Sequence, residues 1–375
     1  MAPTREQVLE RLGEVTAPDG RPLPATGTLS DIVVSDGKVF FSMTVDAGVV
    51  QRWEPVRKAA EDKVRGIPGV TSALVALTAE RGGGAAPGRT SPAAAARAQQ
   101  HGGPRPAQAP EGVKAIIAVA SGKGGVGKST TAANLALGLS ALGLKVGVLD
   151  ADIYGPSMPK LLAIRGRPQT IGGTRLKPMS GYGLAVMSIG FLIEEETPMI
   201  WRGPMVMSAL TQMLREVEWG ALDVMVVDMP PGTGDAQLTM AQQVPLAGAV
   251  IVSTPQDLAL IDARRGIAMF RRVNVPVLGI VENMSYFLCP HCGGRTDVFG
   301  HGGARHEAER LGVPFLGEVP LDIAIRETSD SGRPVVATDP DGAHAAIYRD
   351  IAARVRDQLG GPGKGRPAPK IVIEA

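Results

Sequence analysis

Cysteine and aromatic residues are scarce in this chain of 375 residues. Aromatic residues make up 4% of the sequence, and only two cysteines occur, Cys289 and Cys292. Two cysteines cannot form a disulfide framework, and a pair separated by two residues is typical of reduced thiols or metal ligands. We therefore expect a cytoplasmic protein.

Long apolar runs and a strong net charge are also absent. No stretch approaches the roughly 18 apolar residues of a membrane span, and the first ten residues are charged, without the apolar core of a signal sequence. The formal net charge is +2, from 39 basic and 37 acidic residues. We therefore expect neither a membrane nor a nucleic-acid partner.

Composition divides the chain into four parts. Residues 1–80 contain helical and strand patterns and predict a small α/β domain. Residues 81–112 are rich in Gly, Ala and Pro, which predicts a flexible linker. Residues 113–359 alternate apolar runs with helical stretches, which predicts a mostly parallel sheet covered by helices on both faces. Residues 360–375 predict a flexible tail.

A glycine-rich stretch, residues 121–131, is the first candidate binding motif of the large domain. It follows the apolar run at residues 115–120 and precedes the helical pattern at residues 132–142. Strand, glycine-rich turn and helix in this order are the context of a phosphate-binding P-loop. The alternative is a glycine turn in an ordinary α/β protein.

The P-loop pattern assigns roles to individual residues. Backbone N–H groups would surround phosphate oxygens at the positive end of the following helix. Lys128 would reach the β- and γ-phosphates, and the Ser129 hydroxyl would bind Mg²⁺. The predicted nucleotide-binding residues of the loop are Gly122, Lys123, Gly124, Gly125, Val126, Gly127, Lys128, Ser129 and Thr130.

A second apolar strand pattern, residues 224–227, ends in a carboxylate. Asp228 is therefore predicted to bind Mg²⁺ through water. The stiff turn that follows contains Gly232, whose N–H is positioned to detect the γ-phosphate and release the segment after hydrolysis. The chain lacks the Asn-Lys-x-Asp motif that reads guanine, which favours ATP over GTP.

Two more carboxylates, Asp150 and Asp152, follow the strand pattern at residues 145–149. Because ligands of parallel sheets lie at the carboxyl ends of strands, both are expected near the phosphates. The alternative is that one of them caps a helix at residues 157–162.

The Cys289–Cys292 spacing suits zinc, an iron–sulfur cluster or a redox pair. Two thiolates complete no tetrahedral site, so His301 and His306 could close an intrachain zinc site. However, the eight residues between Cys292 and His301 are fewer than zinc fingers use. Alternatively, two chains could each supply one pair to a cluster on a two-fold axis. No helix pattern begins at Cys289, which disfavours a thioredoxin-like redox pair.

The loop resembles the deviant Walker A motif of the MinD/ParA/nitrogenase-iron-protein class of ATPases. In that class a lysine at the position of Lys123 reaches the partner subunit's nucleotide, which implies an ATP-dependent homodimer. A solvated loop lysine is the alternative. The resemblance further implies that Asp152 orients the attacking water, that Asp150 lies near Mg²⁺ and that Asn283 contacts adenine. An asparagine that only stabilises its own turn is the alternative for Asn283.

Together, the motifs around Lys128, Asp152, Asp228, Asn283 and Cys289 resemble the Mrp family of P-loop iron–sulfur ATPases over residues 112–358. Residues 1–80 resemble a small domain of iron–sulfur assembly factors. The reactive cysteine of some relatives is missing near residues 49–54, which leaves partner docking as the expected role.

The resemblance implies a homodimeric ATPase that binds ATP, Mg²⁺ and a [4Fe-4S] cluster between subunits. Cys289 and Cys292 of each subunit would hold the cluster, because Lys123 and the isolated cysteine pair both require a dimer. Apo iron–sulfur proteins and cluster assembly factors are the implied partners. The alternatives are a MinD/ParA-type spatial regulator and a zinc-stabilised ATPase without cluster transfer.

Overall fold

The computed structural model describes residues 4–30, 32–35, 38–46, 49–70, 72–80, 109–171, 175–193 and 203–360. The chain divides into two compact units, Met1–Gly103 and Pro104–Ala375. Most of the predicted linker, residues 81–108, and nearly all of the predicted tail, residues 361–375, lie outside the described residues. The predicted domain boundaries therefore remain predictions.

The described residues of the first unit form two α-helices, a short 3-10 helix (Leu23–Thr26) and a three-stranded sheet. In chain order the α-helices and strands are α1 (Arg5–Leu12), β1 (Val33–Ser35), β2 (Lys38–Asp46), α2 (Val50–Arg65) and β3 (Ser72–Glu80). The central strand β2 pairs antiparallel with β1 and parallel with β3. Apolar side chains of both helices, including Leu12 and Val64, are fully buried and share one core with strand residues such as Met43. A capping box at Thr4 and Gln7 begins α1.

The second unit contains the larger sheet. Its strands are β4 (Val113–Ala120), β5 (Val146–Asp150), β6 (Thr170–Ile171), β7 (Arg175–Leu176), β8 (Met179–Gly181), β9 (Leu184–Ser188), β10 (Leu222–Asp228), β11 (Gly248–Ser253), β12 (Val277–Glu282), β13 (Phe287–Leu288), β14 (Arg295–Thr296) and β15 (Phe315–Glu318).

The α-helices of this unit lie between the strands or follow the last strand, β15. They are α3 (Lys128–Ala141), α4 (Met158–Leu161), α5 (Gly203–Arg215), α6 (Asp235–Gln243), α7 (Asp257–Arg272), α8 (Gly303–Leu311), α9 (Ile323–Asp330), α10 (Val335–Thr338) and α11 (Ala343–Gly360). Within the described ranges, no helix combines the length and apolar character needed to cross a membrane.

Eight strands form the central sheet in the order β15-β12-β11-β4-β10-β5-β9-β8. All neighbours are parallel except β8, which runs antiparallel to β9. Every residue of β5 and β11 is buried. Because successive side chains of a strand point to opposite faces, continuous burial means that both faces are covered. The predicted α/β fold with a mostly parallel sheet is confirmed.

The register of the central strands places the predicted site residues at one edge. Asp228, the last residue of β10, lies opposite Asp150 of β5 and Val119 of β4. The P-loop leaves the same edge directly after β4, and β12 ends there at Glu282. Strand ends far apart in sequence are thus neighbours in space.

Candidate nucleotide and metal-binding site

The P-loop has the backbone that its glycines permit. Gly125 and Gly127 have φ angles of +78° and +79°, which side-chain-bearing residues rarely adopt. A Cβ on Gly122 would lie 2.3 Å from the carbonyl carbon of Asp262, and a Cβ on Gly127 would lie 2.1 Å from Asn283 Nδ2. Glycine at positions 122 and 127 therefore serves close packing as well as a phosphate-binding backbone.

Lys128 lies between three polar side chains. Its buried Nζ is 2.6 Å from Asp228 Oδ1 and 3.1 Å from Ser129 Oγ. Asp152 Oδ2 is 3.8 Å away. In this structure the lysine therefore neutralises the carboxylates around it, whereas the sequence predicts that it contacts phosphates.

The two carboxylate oxygens of Asp228 differ in their contacts. Lys128 pairs with Oδ1, whereas the buried Oδ2 has no hydrogen-bond partner among the described residues. Burial raises the pKa of Asp228, and the neighbouring Lys128 opposes that rise. A buried carboxylate oxygen without a donor is an open position for a water molecule of a hydrated metal ion. Asp228 and the Ser129 hydroxyl thus fit Mg²⁺.

Asp150 is fully buried, and both of its oxygens accept hydrogen bonds. Oδ2 accepts from the backbone N–H groups of Ser157 and Met158, each at 3.0 Å, and from Ser188 Oγ at 2.9 Å. Oδ1 accepts from the Asp152 N–H at 3.3 Å. Burial, reinforced by the Asp228 charge, raises the pKa of Asp150 to about 7. These contacts favour the helix-capping alternative over a position near Mg²⁺.

A cavity of about 270 Å³ brings most predicted residues of the loop together. Its lining comprises Ser121, Lys123, Gly124, Gly125, Gly127, Lys128, Ser129, Thr130, Asp152 and Pro231. Burial raises the pKa of Asp152, against the opposing charge of Lys128. Asp152 lies at the cavity wall, where a water-orienting carboxylate is expected. That role remains a prediction.

Gly232 and Lys123, two predicted nucleotide contacts, differ in their present partners. The Gly232 N–H donates to the Ser121 carbonyl at 3.0 Å, so it must leave that oxygen before it can contact a phosphate. Lys123 is half-buried at the cavity wall, and its ammonium has no hydrogen-bond or ion-pair partner in the described part of the chain. Its action on a second subunit remains a prediction.

Asn283 contacts the P-loop directly. Its buried Nδ2 donates to the Val126 carbonyl at 2.8 Å. Its backbone N–H donates to the Ser253 carbonyl, also at 2.8 Å. The alternative that this asparagine only stabilises its own turn is wrong, because the side chain bonds to a residue 157 positions away. Its contact with adenine remains a prediction.

Cys289 and Cys292 lie in the turn of a small hairpin. We call residues 287–296, which comprise β13, β14 and the turn between them, the cysteine hairpin. The Cys289 N–H donates to the Gly294 carbonyl at 2.9 Å, and the Gly293 N–H donates to the Cys289 carbonyl at 2.8 Å. The backbone N–H groups of His291 and Cys292 lower the pKa of the Cys289 thiol. Cys292 is exposed.

The two histidines considered for an intrachain zinc site do not complete one here. His301 Nδ1 is 2.8 Å from Arg295 Nη2, and His306 is exposed on α8. Among all described residues, no group of three or more His, Cys, Asp or Glu side chains is arranged to bind a metal ion. The cysteine pair therefore has no third ligand within the described part of one chain.

Sequence reasoning missed Glu282, a fully buried carboxylate at the end of β12. Its Oε1 accepts from Ser285 Oγ at 2.6 Å, and its Oε2 accepts from the Ala304 N–H at 2.7 Å. Its position in the sequence could have identified it, because Glu282 ends a buried strand as Asp150 and Asp228 do.

Comparisons with known proteins give consistent matches. Residues 112–356 match the family described as NUBPL iron-transfer P-loop NTPase, and residues 5–75 match a family described as iron-sulfur cluster assembly protein. The chain is 54% identical over 271 residues to the iron-sulfur cluster transfer protein NUBPL of Dictyostelium discoideum, covering 71% of this chain and 84% of that protein.

Two further relatives extend this result. The iron-sulfur cluster carrier protein of Escherichia coli (strain K12) is 57% identical over 249 residues, covering 66% of this chain and 68% of that protein. A nucleotide-binding protein from Archaeoglobus fulgidus, solved in complex with ADP, is 41% identical. It covers 62% of this chain and 90% of its own, with a TM-score of 0.55.

Proposed function

We propose that this chain, which belongs to the family of NUBPL iron-transfer P-loop NTPases, hydrolyses ATP and carries a [4Fe-4S] cluster to apoproteins. One observation carries the proposal: the chain that touches the P-loop at Asn283 continues directly into the hairpin with Cys289 and Cys292. A nucleotide site and a thiol pair joined by so short a segment suit an ATPase that controls a metal cargo.

The nucleotide half of the proposal rests on the P-loop cavity. The loop N–H groups and Lys128 would hold the phosphates, and Ser129 with Asp228 would hold Mg²⁺. When bound, Mg²⁺ supplies positive charge that neutralises the β- and γ-phosphate oxygens. The Archaeoglobus fulgidus relative was solved with ADP, which supports a nucleotide in this cavity. Asp152 would orient the attacking water, and Lys123 would act on the partner subunit's phosphates.

The cargo half rests on the isolated thiol pair. A [4Fe-4S] cluster takes four cysteine ligands, and each chain has two cysteines in total. Two chains related by a two-fold axis would therefore complete one cluster. Because Cys292 is exposed, a cluster held here is accessible to a recipient protein. The lowered pKa of Cys289 favours the thiolate that binds iron.

The first unit is proposed to dock cluster assembly factors or recipient apoproteins in the cytoplasm. Residues 5–75 match a family described as iron-sulfur cluster assembly protein, and this part of the chain contains no cysteine. A unit without thiolates is better suited to recognise partners than to hold iron.

Anaerobic reconstitution tests the proposal. The full chain is incubated with iron and sulfide, and bound iron, visible absorbance and oligomer mass are measured. We expect about two iron atoms per chain in a dimer. Cys289→Ser should lose the iron, and His301→Ala should keep it as a matched control.

Two outcomes would reject cluster carriage. The first is stoichiometric zinc without cluster uptake, unaffected by Cys289→Ser, which would support a zinc-stabilised ATPase. The second is a cluster that never reaches an apo iron–sulfur acceptor when the two proteins are mixed with MgATP.

A further inference from the structure

The buried carboxylate of Glu282 has no role in the site described so far. It carries two short hydrogen bonds, from Ser285 Oγ at 2.6 Å and from the Ala304 N–H at 2.7 Å. No cation of the described residues forms an ion pair with it. Burial of a carboxylate is unfavourable unless such donors satisfy it. Ser285 and the first turn of α8 are therefore held firmly to the end of β12.

We call residues 283–286, which follow Glu282, the linking segment. Its first half lies on the P-loop. Asn283 Nδ2 donates to the Val126 carbonyl at 2.8 Å, and Met284 Cε lies 3.8 Å from the position of a Cβ on Gly127. Met284 has a φ of +55°, an unfavourable conformation for a residue with a side chain. The surrounding contacts thus hold the segment in a strained backbone conformation.

The second half of the linking segment supports the cysteine hairpin. Ser285 N–H donates to the Val319 carbonyl at 3.0 Å, and Leu321 N–H donates to the Tyr286 carbonyl at 2.7 Å. The Arg295 guanidinium lies 4.3 Å above the Tyr286 ring, and Arg295 pairs with Leu288 across the hairpin. Cys289 follows Tyr286 by three positions. The segment therefore contacts the P-loop at one end and the cysteine hairpin at the other.

We propose that Glu282 is a positioning residue that, through Ser285, couples the P-loop to the cysteine hairpin, so that ATP binding changes the exposure of Cys289 and Cys292. The proposal rests on the proposed function for its ligand, ATP, but it does not require a bound cluster. Lys128 must leave Asp228 to reach phosphates, which moves the loop that Asn283 contacts. Because Glu282 holds the segment, the displacement passes to the hairpin, whose strands are only two residues long.

The chain itself provides the reporter. Cys289 and Cys292 are its only cysteines, so thiol alkylation of the metal-free, reduced full chain reports on the hairpin alone. The alkylation rate is measured by mass spectrometry with MgATP, with a non-hydrolysable analogue and without nucleotide. We expect nucleotide to change the rate in the unmodified chain, and the ratio of the two rates measures the coupling.

In Ser285→Ala, the effect of nucleotide on the alkylation rate should be about two- to tenfold smaller, so that the ratio lies closer to one. The affinity of this variant for nucleotide should stay within about twofold of that of the unmodified chain. Ser329→Ala is the matched control, because it also removes a buried serine hydroxyl, one that bonds only to the Ile325 carbonyl within α9. Met284→Gly provides a second variant, since glycine relieves the positive φ and loosens the same segment without a lost internal hydrogen bond. It should also bring the ratio closer to one.

The outcomes separate this inference from the proposed function. Equal alkylation rates with and without nucleotide in the unmodified chain that binds ATP would overturn the coupling. An unchanged ratio in both Ser285→Ala and Met284→Gly would overturn the role of the linking segment. Failure of cluster reconstitution would reject cluster carriage and leave the thiol measurement, which needs no iron, as an independent result.

Discussion

At the scale of single residues, Lys128 would have to exchange partners to bind phosphate as predicted. In this structure it pairs with the fully buried Asp228, whereas P-loop chemistry requires its charge on phosphate oxygens. Mg²⁺ would then take over the neutralisation of Asp228. On the proposed function, the lysine would contribute to stability before ATP binds and to phosphate binding afterwards.

Lys128→Ala separates these two contributions. We expect ATP hydrolysis to fall at least about 100-fold, because a charge that stabilises the transition state is lost. We also expect the nucleotide-free protein to lose about 3–5 kcal/mol of unfolding free energy, since Asp228 is left buried without its cation. Phosphate release and urea denaturation measure the two effects.

The double variant Lys128→Ala with Asp228→Asn serves as the control. It should recover most of the stability, because the fully buried charge at position 228 is removed together with its cation, but none of the hydrolysis. A single variant that still turned over ATP at the normal rate would contradict the assignment of the P-loop.

Residue types and spacing were enough to predict which side chains surround the cavity, but not their present partners. Lys128, Asp152 and Asp228 meet as expected. Helix capping by Asp150 was only an alternative, and the bond from Asn283 to Val126 was not predicted. The Asn283 bond joins residues 157 positions apart, and the orientation of such side chains depends on packing that no local pattern contains.

At the scale of secondary-structure elements, the loop between β4 and α3 is constrained by Asn283, the residue that follows the end of β12. Gly127 has a φ of +79° and faces Asn283 Nδ2 at a distance that leaves no room for a Cβ. By contrast, a Cβ on Gly124 would meet nothing within 4 Å. The two glycines of one loop are therefore under different constraints.

Gly127→Ala should destabilise the nucleotide-free fold by about 1–3 kcal/mol, because the new Cβ collides with Asn283 and the backbone conformation becomes strained. Gly124→Ala, the matched control, should change the unfolding free energy by less than about 0.5 kcal/mol. Thermal and urea denaturation without nucleotide provide the measurement. Equal stability of the two variants would show that the Asn283 contact does not constrain the loop.

The major elements were predictable because their apolar periods are long. Strands β4, β5 and β10 and helix α3 lie within a few residues of their predicted limits. The strands of two residues, such as β13 and β14, were not predicted, because two residues carry no period. The cysteine hairpin depends instead on backbone hydrogen bonds between Cys289, Gly293 and Gly294.

At the scale of the whole molecule, each candidate site has one feature that the described residues of a single chain do not account for. Among the described residues, the Lys123 ammonium has no hydrogen-bond or ion-pair partner, and the cysteine pair has no third metal ligand. The two deficiencies point to the same proposed homodimer, in which each subunit supplies a lysine to the other's nucleotide and a thiol pair to a shared cluster. Sequence alone suggested the dimer, but only the geometry shows that neither gap is filled within the described part of the chain.

A mixing experiment tests whether Lys123 acts on the partner subunit. Lys123→Ala and Lys128→Ala should each be inactive as homodimers. In a heterodimer, the P-loop of the Lys123→Ala chain keeps Lys128 and receives Lys123 from its partner, so one of the two sites is complete. Random exchange of equal amounts makes half of the dimers heterodimers, so about one quarter of the normal ATPase rate should return. If Lys123 acted within its own chain, every site in the mixture would lack one lysine, and no activity would return.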